Sequence, residues 1–165
     1  MRFLAVPGRG VPLPGHWQRE WAARPGWAWA PEPPGPPVVF AERVAALQAA
    51  VAASLEPVVL VAHSAGCVTV ATWALAHGPG PVRAALLVTP PFLREEPVPM
   101  APLPFRSLVV ASSDDPYCTP EGAAAYARAW GAERFDAGAV GHLDAKTGFG
   151  PWPEGERLVA ALATG

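Results

Sequence analysis

The stretch from Pro57 to Val68, Pro-Val-Val-Leu-Val-Ala-His-Ser-Ala-Gly-Cys-Val, limits the fold more than any other part of the chain. Val58 to Val61 is a short apolar, β-branched run of the kind that makes a buried strand. It passes through Ala62-His63-Ser64-Ala65-Gly66 into an alanine-rich helical run, Cys67 to Ala76, with no linker between them. Strand, sharp turn and helix pack together only if their backbones approach closely, so small residues stand two before and two after the serine. Such a turn forces the serine into a strained conformation with its Oγ above the strand ends, the arrangement called a nucleophile elbow. The usual string is Gly-x-Ser-x-Gly; here Ala62 stands at the first glycine, the least bulky substitution. The same string also occurs as a turn without chemistry, so its meaning depends on an acid and a histidine further along.

A chain of 165 residues has the size of one domain, residues 1–165, and can bury a real core. Half of it is apolar and the formal net charge is −2. That balance argues against a nucleic-acid partner and against a polybasic membrane surface. No apolar run approaches the roughly 20 residues of a spanning helix. Met1 to Pro7 is too short for a signal peptide and reads as a first strand. Two cysteines, Cys67 and Cys118, make no disulfide framework, so a cytoplasmic location is expected. Lys146 is the only lysine among many arginines, and alanine and proline abound, a bias of GC-rich bacterial genomes.

In chain order, Arg2 to Val6 reads as a strand broken by the loop Pro7-Gly8-Arg9-Gly10. Trp17 and Trp21 lie four apart, as on one helix face, and Trp27 to Trp29 is a second strand. Pro31 to Pro37 is a proline-rich connection. Val44, Leu47, Val51 and Leu55 mark an amphipathic helix over Phe40 to Leu55. After the elbow, Val82 to Val88 and Ser107 to Ala111 are strands, with residues 90–105 a loop over the sheet edge. Ala123 to Trp130 is a helix, Glu133 to Asp136 a short edge strand and Leu158 to Ala163 a last helix. Apolar strands alternating with helices predict an α/β domain, mostly parallel, with helices on both faces. Ligands bind beyond the carboxyl ends of such strands. Pro7-Gly8-Arg9, Ser64, Asp114-Asp115 and His142 all fall there.

A serine hydroxyl needs a base to take its proton during attack, and histidine suits the task near neutral pH. A buried carboxylate on the other ring nitrogen fixes the tautomer and stabilises the imidazolium. In α/β hydrolases the chain order is Ser, acid, His. Ser64, Asp115 and His142 obey it. Asp114 and Asp115 are neighbours whose side chains diverge, so one of them reaches the histidine, and Asp before Pro116 is also ordinary turn chemistry. Asp144 is too close to His142 in sequence to orient it, and Asp136 reads as a solvating charge. The backbone N–H groups of Ala65 and of Arg9 are the candidate oxyanion donors, with Gly10 the alternative to Arg9. His63 should point away from Ser64 and pack; His77 caps a helix end; His16 either lines the pocket or caps the first helix. The histidines lack metal-ligand spacing, and no cofactor is implied. Cys67 reads as a small buried apolar residue, and Trp17, Trp21 and Trp130 as core or pocket wall.

Together, Leu60-Val61-Ala62-His63-Ser64-Ala65-Gly66-Cys67, Gly15-His16-Trp17-Gln18, Ser113-Asp114-Asp115-Pro116-Tyr117, Gly141-His142 and Gly148-Phe149-Gly150-Pro151-Trp152-Pro153-Glu154-Gly155 resemble a known family. They are similar to the small serine hydrolases of the retinoblastoma-binding-protein-9 and YdeN type. The resemblance spans nearly the whole chain and implies a compact single-domain α/β hydrolase with little or no lid. It implies Ser64 as nucleophile, Asp115 as acid and His142 as base, and it places His16 and Trp17 near the site. Ala62 in place of glycine is its main departure. The expected activity is hydrolysis of small carboxylic esters through an acyl-enzyme, with short acyl chains favoured. A peptidase or amidase is the alternative within that fold, and a protein-interaction module on a hydrolase scaffold the alternative outside catalysis. The expected partner is a small-molecule ester; the sequence names no protein partner.

Overall fold

Parallel strands cannot be joined by a hairpin, so each pair needs a crossover long enough to hold a helix. The computed structural model, which describes residues 1–33, 39–94 and 96–165, has this alternation except between the fourth and fifth strands, whose link carries no helix among the described residues. Its elements are β1 (Arg2–Val6), α1 (Trp17–Ala22), β2 (Trp27–Trp29), α2 (Phe40–Ala52), β3 (Val58–His63), α3 (Ala65–His77), β4 (Val82–Val88), β5 (Arg106–Ala111), α4 (Pro120–Trp130), β6 (Glu133–Asp136) and α5 (Pro153–Thr164), with a 3₁₀ turn at Ala145–Thr147. Residues 34–37 of the proline-rich connection lie outside the described residues.

The six strands form one all-parallel sheet in the order β2-β1-β3-β4-β5-β6. Its connections run from β1 outward to β2, then back past β1 to β3 and onward. The switch point lies between β1 and β3, where such sheets open a crevice at their carboxyl ends. Side chains alternate along β3. Val58, Leu60 and Ala62 join a core beneath α2, α3 and α4, whereas Val59 and Val61 join a second core beneath α1 and α5. All six β3 residues are buried, which is why the strand reads as an unbroken apolar run. Among the described residues two helices cover the second face, and large rings fill it. Trp17, Trp21 and Trp152 pack mutually with ring centroids 4.7 to 5.8 Å apart.

Three helix boundaries differ from the sequence expectation by three residues or more, each for a local reason. Helix α2 stops at Ala52: Ala53 caps it by donating to the Ala49 carbonyl, and Ser54 makes a turn with Glu56, leaving Leu55 fully exposed. Helices α4 and α5 start earlier than their apolar periodicity, at Pro120 and Pro153. Proline suits the first helical position because its missing N–H has no intrahelical partner there. Residues 90–94 and 96–105 do not pass over an edge. β4 and β5 are neighbours inside the sheet, so their link crosses a face, where Val98, Leu103 and Phe105 pack on the α2–α4 core.

At Gly66 the helix α3 backbone lies against β1, and a Cβ there would collide with the Val6 carbonyl. Gly66→Ala is therefore expected to cost about 3 kcal/mol, the upper range for overpacking against an element that cannot yield. Leu55→Gln should change stability by less than about 0.5 kcal/mol, as an exposed substitution does. Urea unfolding of both variants checks the pair; equal stabilities would contradict this packing.

Candidate active site

Ser64 lies between β3 and α3 with φ 54° and ψ −125°, in the positive-φ region that costs a non-glycine residue about 1–3 kcal/mol. Its N–H donates to the Val88 carbonyl of β4 at 2.9 Å, which fastens the turn to the next strand. Among the described residues, the other non-glycine residues with positive φ are Thr89 and Leu143. Thr89 directly follows β4 and donates to the His142 carbonyl, and Leu143 follows His142, so the strained positions are all joined to the Ser64 and His142 loops.

His142 Nε2 lies 2.9 Å from Ser64 Oγ, and His142 Nδ1 lies 2.9 Å from Asp115 Oδ1. The side chains of His142 and Asp115 are almost wholly buried. The same carboxylate oxygen accepts the Tyr117 N–H at 3.0 Å, and the Tyr117 ring stands edge-on against His142. Asp114 turns the other way. Its Oδ1 accepts the Gly141 N–H at 2.7 Å and the Ser112 hydroxyl at 2.9 Å, and these bonds hold its carboxyl below the usual range. Of the two adjacent aspartates, one holds the histidine ring and the other holds the loop carrying it.

That loop is tied down on every side. The His142 carbonyl accepts from His63 Nε2 at 2.9 Å and from the Thr89 hydroxyl at 3.3 Å. The Leu143 carbonyl accepts the Trp17 indole N–H at 2.8 Å. Asp144 does not touch His142; it caps the 3₁₀ turn by accepting from the Thr147 N–H and hydroxyl. His63 is buried on the α1–α5 side, as packing required, and it also braces the His142 backbone and borders the cavity. Nothing in the sequence pattern distinguishes that second role. The sequence pattern likewise passes over Thr89 and Ser112, although each is a polar residue directly after an apolar strand, the signal by which they could be found.

A cavity of about 260 Å³ opens above Ser64 and His142. Arg9, Ala65, His16 and His63 also line it, and exposed Val11, Leu13, Phe92 and Tyr117 form its mouth. Trp17 is not on its surface; it lies behind His16, buried in the tryptophan cluster. His16 fulfils both roles left open for it: its Nδ1 accepts the Gln18 N–H at the start of α1, and its ring faces the cavity. Among the described residues the Ala65 and Arg9 N–H groups make no hydrogen bond. Ala65 is the first residue of α3, whose aligned peptide dipoles favour negative charge at that end. Gly8 lets the Arg9 loop come close, since a Cβ there would sit 3.0 Å from Ser64 Cβ. His77 ends α3 against Trp73, with Gly78 making the cap. Cys67 is fully buried, and burial pushes its thiol well up. Among the described residues no group of three or more His, Cys, Asp or Glu side chains could hold a metal ion.

Burial depresses two of these imidazoles. His16 falls to about 4, against a smaller upward pull from Asp144, and His63 falls to about 3, helped by the neighbouring His16 and His142. Both rings are thus neutral at pH 7. His63 then donates from Nε2 to the His142 carbonyl, and His16 carries its proton on Nε2 because Nδ1 accepts. In the unfolded chain both titrate near 6.5. Between that value and the folded ones the unfolded state binds more protons, so their contribution is full above pH 6.5 and lost as pH falls. For His16 the loss between pH 6.5 and 4 is on the order of 3 kcal/mol. His16→Asn, which retains a capping acceptor, should flatten that part of the stability curve. Urea midpoints across this pH range test it; wild-type stability independent of pH there would contradict it.

The model of the serine hydrolase family matches residues 3–161 of the chain. No curated protein matches it significantly. Among solved structures, a YdeN-like hydrolase from Pectobacterium atrosepticum superposes with a TM-score of 0.88 and 28% identity, covering 98% of this chain and 90% of that one. The ydeN gene product of Bacillus subtilis superposes with a TM-score of 0.73 at 18% identity, over 99% of both chains. A Bacillus cereus carboxylesterase superposes with a TM-score of 0.63 at 14% identity, over 98% of this chain and 87% of the other. The last two likenesses are of fold alone. With the six-stranded parallel sheet, the serine turn after β3 and a family match over nearly its whole length, this chain belongs to the serine hydrolase family and has an α/β-hydrolase fold.

Proposed function

We propose that the protein hydrolyses small carboxylic esters through an acyl-enzyme on Ser64. The observation that carries this reading is the hydrogen-bonded line from Asp115 through His142 to Ser64 Oγ, with both links 2.9 Å long and the hydroxyl facing the cavity. Ser64 Oγ attacks the ester carbonyl carbon while His142 Nε2 takes the hydroxyl proton. The Ala65 and Arg9 N–H groups receive the negative charge that develops on the carbonyl oxygen. Donors fixed in advance stabilise such a charge at no reorganisation cost, and each is worth about 10²- to 10³-fold in rate. As the tetrahedral intermediate collapses, the C–O bond to the alcohol breaks and His142 returns the proton to the leaving oxygen. A water molecule then attacks the acyl-enzyme, gives its proton to His142 and releases the carboxylic acid, restoring Ser64. Asp115 stays ionised and keeps the imidazole in the tautomer with its proton on Nδ1.

The cavity volume, near the lower end for small-molecule sites, supports short acyl chains. The expected order of kcat/KM is therefore p-nitrophenyl acetate and butyrate above p-nitrophenyl decanoate. Ser64→Ala and His142→Ala should each lower kcat by about 10⁴-fold or more, with Asp115→Asn near 10⁴-fold and KM little changed. Faster turnover of the decanoate would overturn the chain-length preference. Undiminished ester hydrolysis by Ser64→Ala would overturn the mechanism.

A further inference from the structure

Among the described residues two buried side-chain polar atoms have no hydrogen-bond partner, Gln18 Oε1 and Arg43 Nε. Both side chains belong to one construction. Gln18, fully buried on α1, donates through Nε2 to the Val6 carbonyl at 3.1 Å and to the Val61 carbonyl at 2.9 Å. Arg43, on α2 and 1% exposed, donates through Nη1 to the Pro7 carbonyl at 2.9 Å. Helices α1 and α2 cover opposite faces of the sheet. Two consecutive carbonyls at the exit of β1 are thus gripped from both sides, directly before Gly8 and Arg9. Gln18 also ties β1 to β3 where their pairing ends, at Val6 opposite Ala62.

The arrangement is costly. Among the described residues Arg43 has no carboxylate partner, and a buried guanidinium without one is less stable than an apolar side chain of similar volume. An orphaned buried polar atom in a native protein calls for an explanation, and both orphans here belong to side chains holding the same two residues. Directly after those residues comes a loop with glycine on each side of Arg9, free to wander unless its start is fixed. A misplacement of about 1 Å in a catalytic group costs about 100-fold in rate.

We propose that Gln18 and Arg43 form a two-sided clamp on the exit of β1, positioning residues that aim the Arg9 N–H at the oxyanion. This rests on the ester-hydrolase reading above. They touch neither substrate nor Ser64, and they act through the Pro7-Gly8-Arg9 backbone. The clamp serves the charge that forms in the tetrahedral intermediate and not the bound ester, so its loss appears in kcat and leaves KM unaffected.

The test uses Arg43→Met, Gln18→Met and Arg43→Lys in the full chain. Hydrolysis of p-nitrophenyl acetate is measured beside binding of phenylboronic acid, whose tetrahedral serine adduct mimics the intermediate. The methionine variants should lose about 30- to 100-fold in kcat with KM within about threefold, and boronate affinity should fall in proportion. Arg43→Lys, which keeps a donor, should recover part of the loss. The pH dependence of kcat/KM should keep its wild-type shape, and the Tm of Arg43→Met should equal or exceed that of wild type. Full kcat in the folded variants, a loss confined to KM, or unchanged boronate affinity would overturn the clamp while leaving the ester reading intact. If Arg43→Met fails to fold, Gln18→Met and Arg43→Lys carry the same comparison. A wild type that hydrolyses no ester would overturn the underlying reading instead.

Discussion

Where helix α3 meets the end of β1, the Gly66 backbone presses on the Val6 carbonyl with no room for a Cβ between them. Much of the site depends on that contact. It brings the N-terminus of α3 beside the Pro7-Gly8-Arg9 loop, so that two unbonded N–H groups from different elements border one cavity. It also leaves the chain too little length to leave β3 by an ordinary turn, and Ser64 takes the positive-φ conformation that lifts its hydroxyl above the sheet. Ala62 at the first small position of the turn is fully buried in the α2–α4 core, where its methyl group is accommodated. The alanine for glycine exchange is thus absorbed by packing on the strand side. The helix side, at Gly66, admits no such exchange.

Strain of this kind persists only where the surroundings over-determine it. Here the support is the sheet. Ser64 is bonded to Val88, Thr89 follows Val88 and donates to His142, and Trp17 holds the residue after His142. The central strands bearing these groups are buried on both faces, so the turn, the histidine loop and the carboxylate loop share one rigid frame. The polar groups within it are kept neutral or engaged. Burial holds His16 and His63 in their uncharged forms, which leaves them as directional donors and acceptors and not as competing cations beside His142.

The fold is legible in the sequence because its signals are local and redundant. Unbroken apolar runs announce buried parallel strands, and the small residues around Ser64 announce a tight strand-to-helix turn. Ser64, Asp115 and His142 can be singled out by chain order, although spacing alone leaves Asp114 and Asp115 open. Their difference comes from backbone direction after β5, which a sequence shows only by resemblance. The illegible part depends on contacts between distant segments. Arg43 and Gln18 look like ordinary polar residues on amphipathic helices until the sheet brings the ends of β1 and β3 beneath them. Periodicity likewise places Leu55 on the apolar face of α2, whereas the turn at Ser54 ends the helix first. Prolines at Pro120 and Pro153 mark helix starts that apolar spacing sets several residues too late.

An activated serine at position 64 is the claim on which the functional account turns. Reaction with a fluorophosphonate, followed by mapping of the labelled peptide by mass spectrometry, measures it without assuming a substrate. The account predicts one phosphonylated residue, Ser64, modified in wild type and scarcely modified in His142→Ala. Equal labelling of His142→Ala, or no labelling of folded wild-type protein, would contradict it.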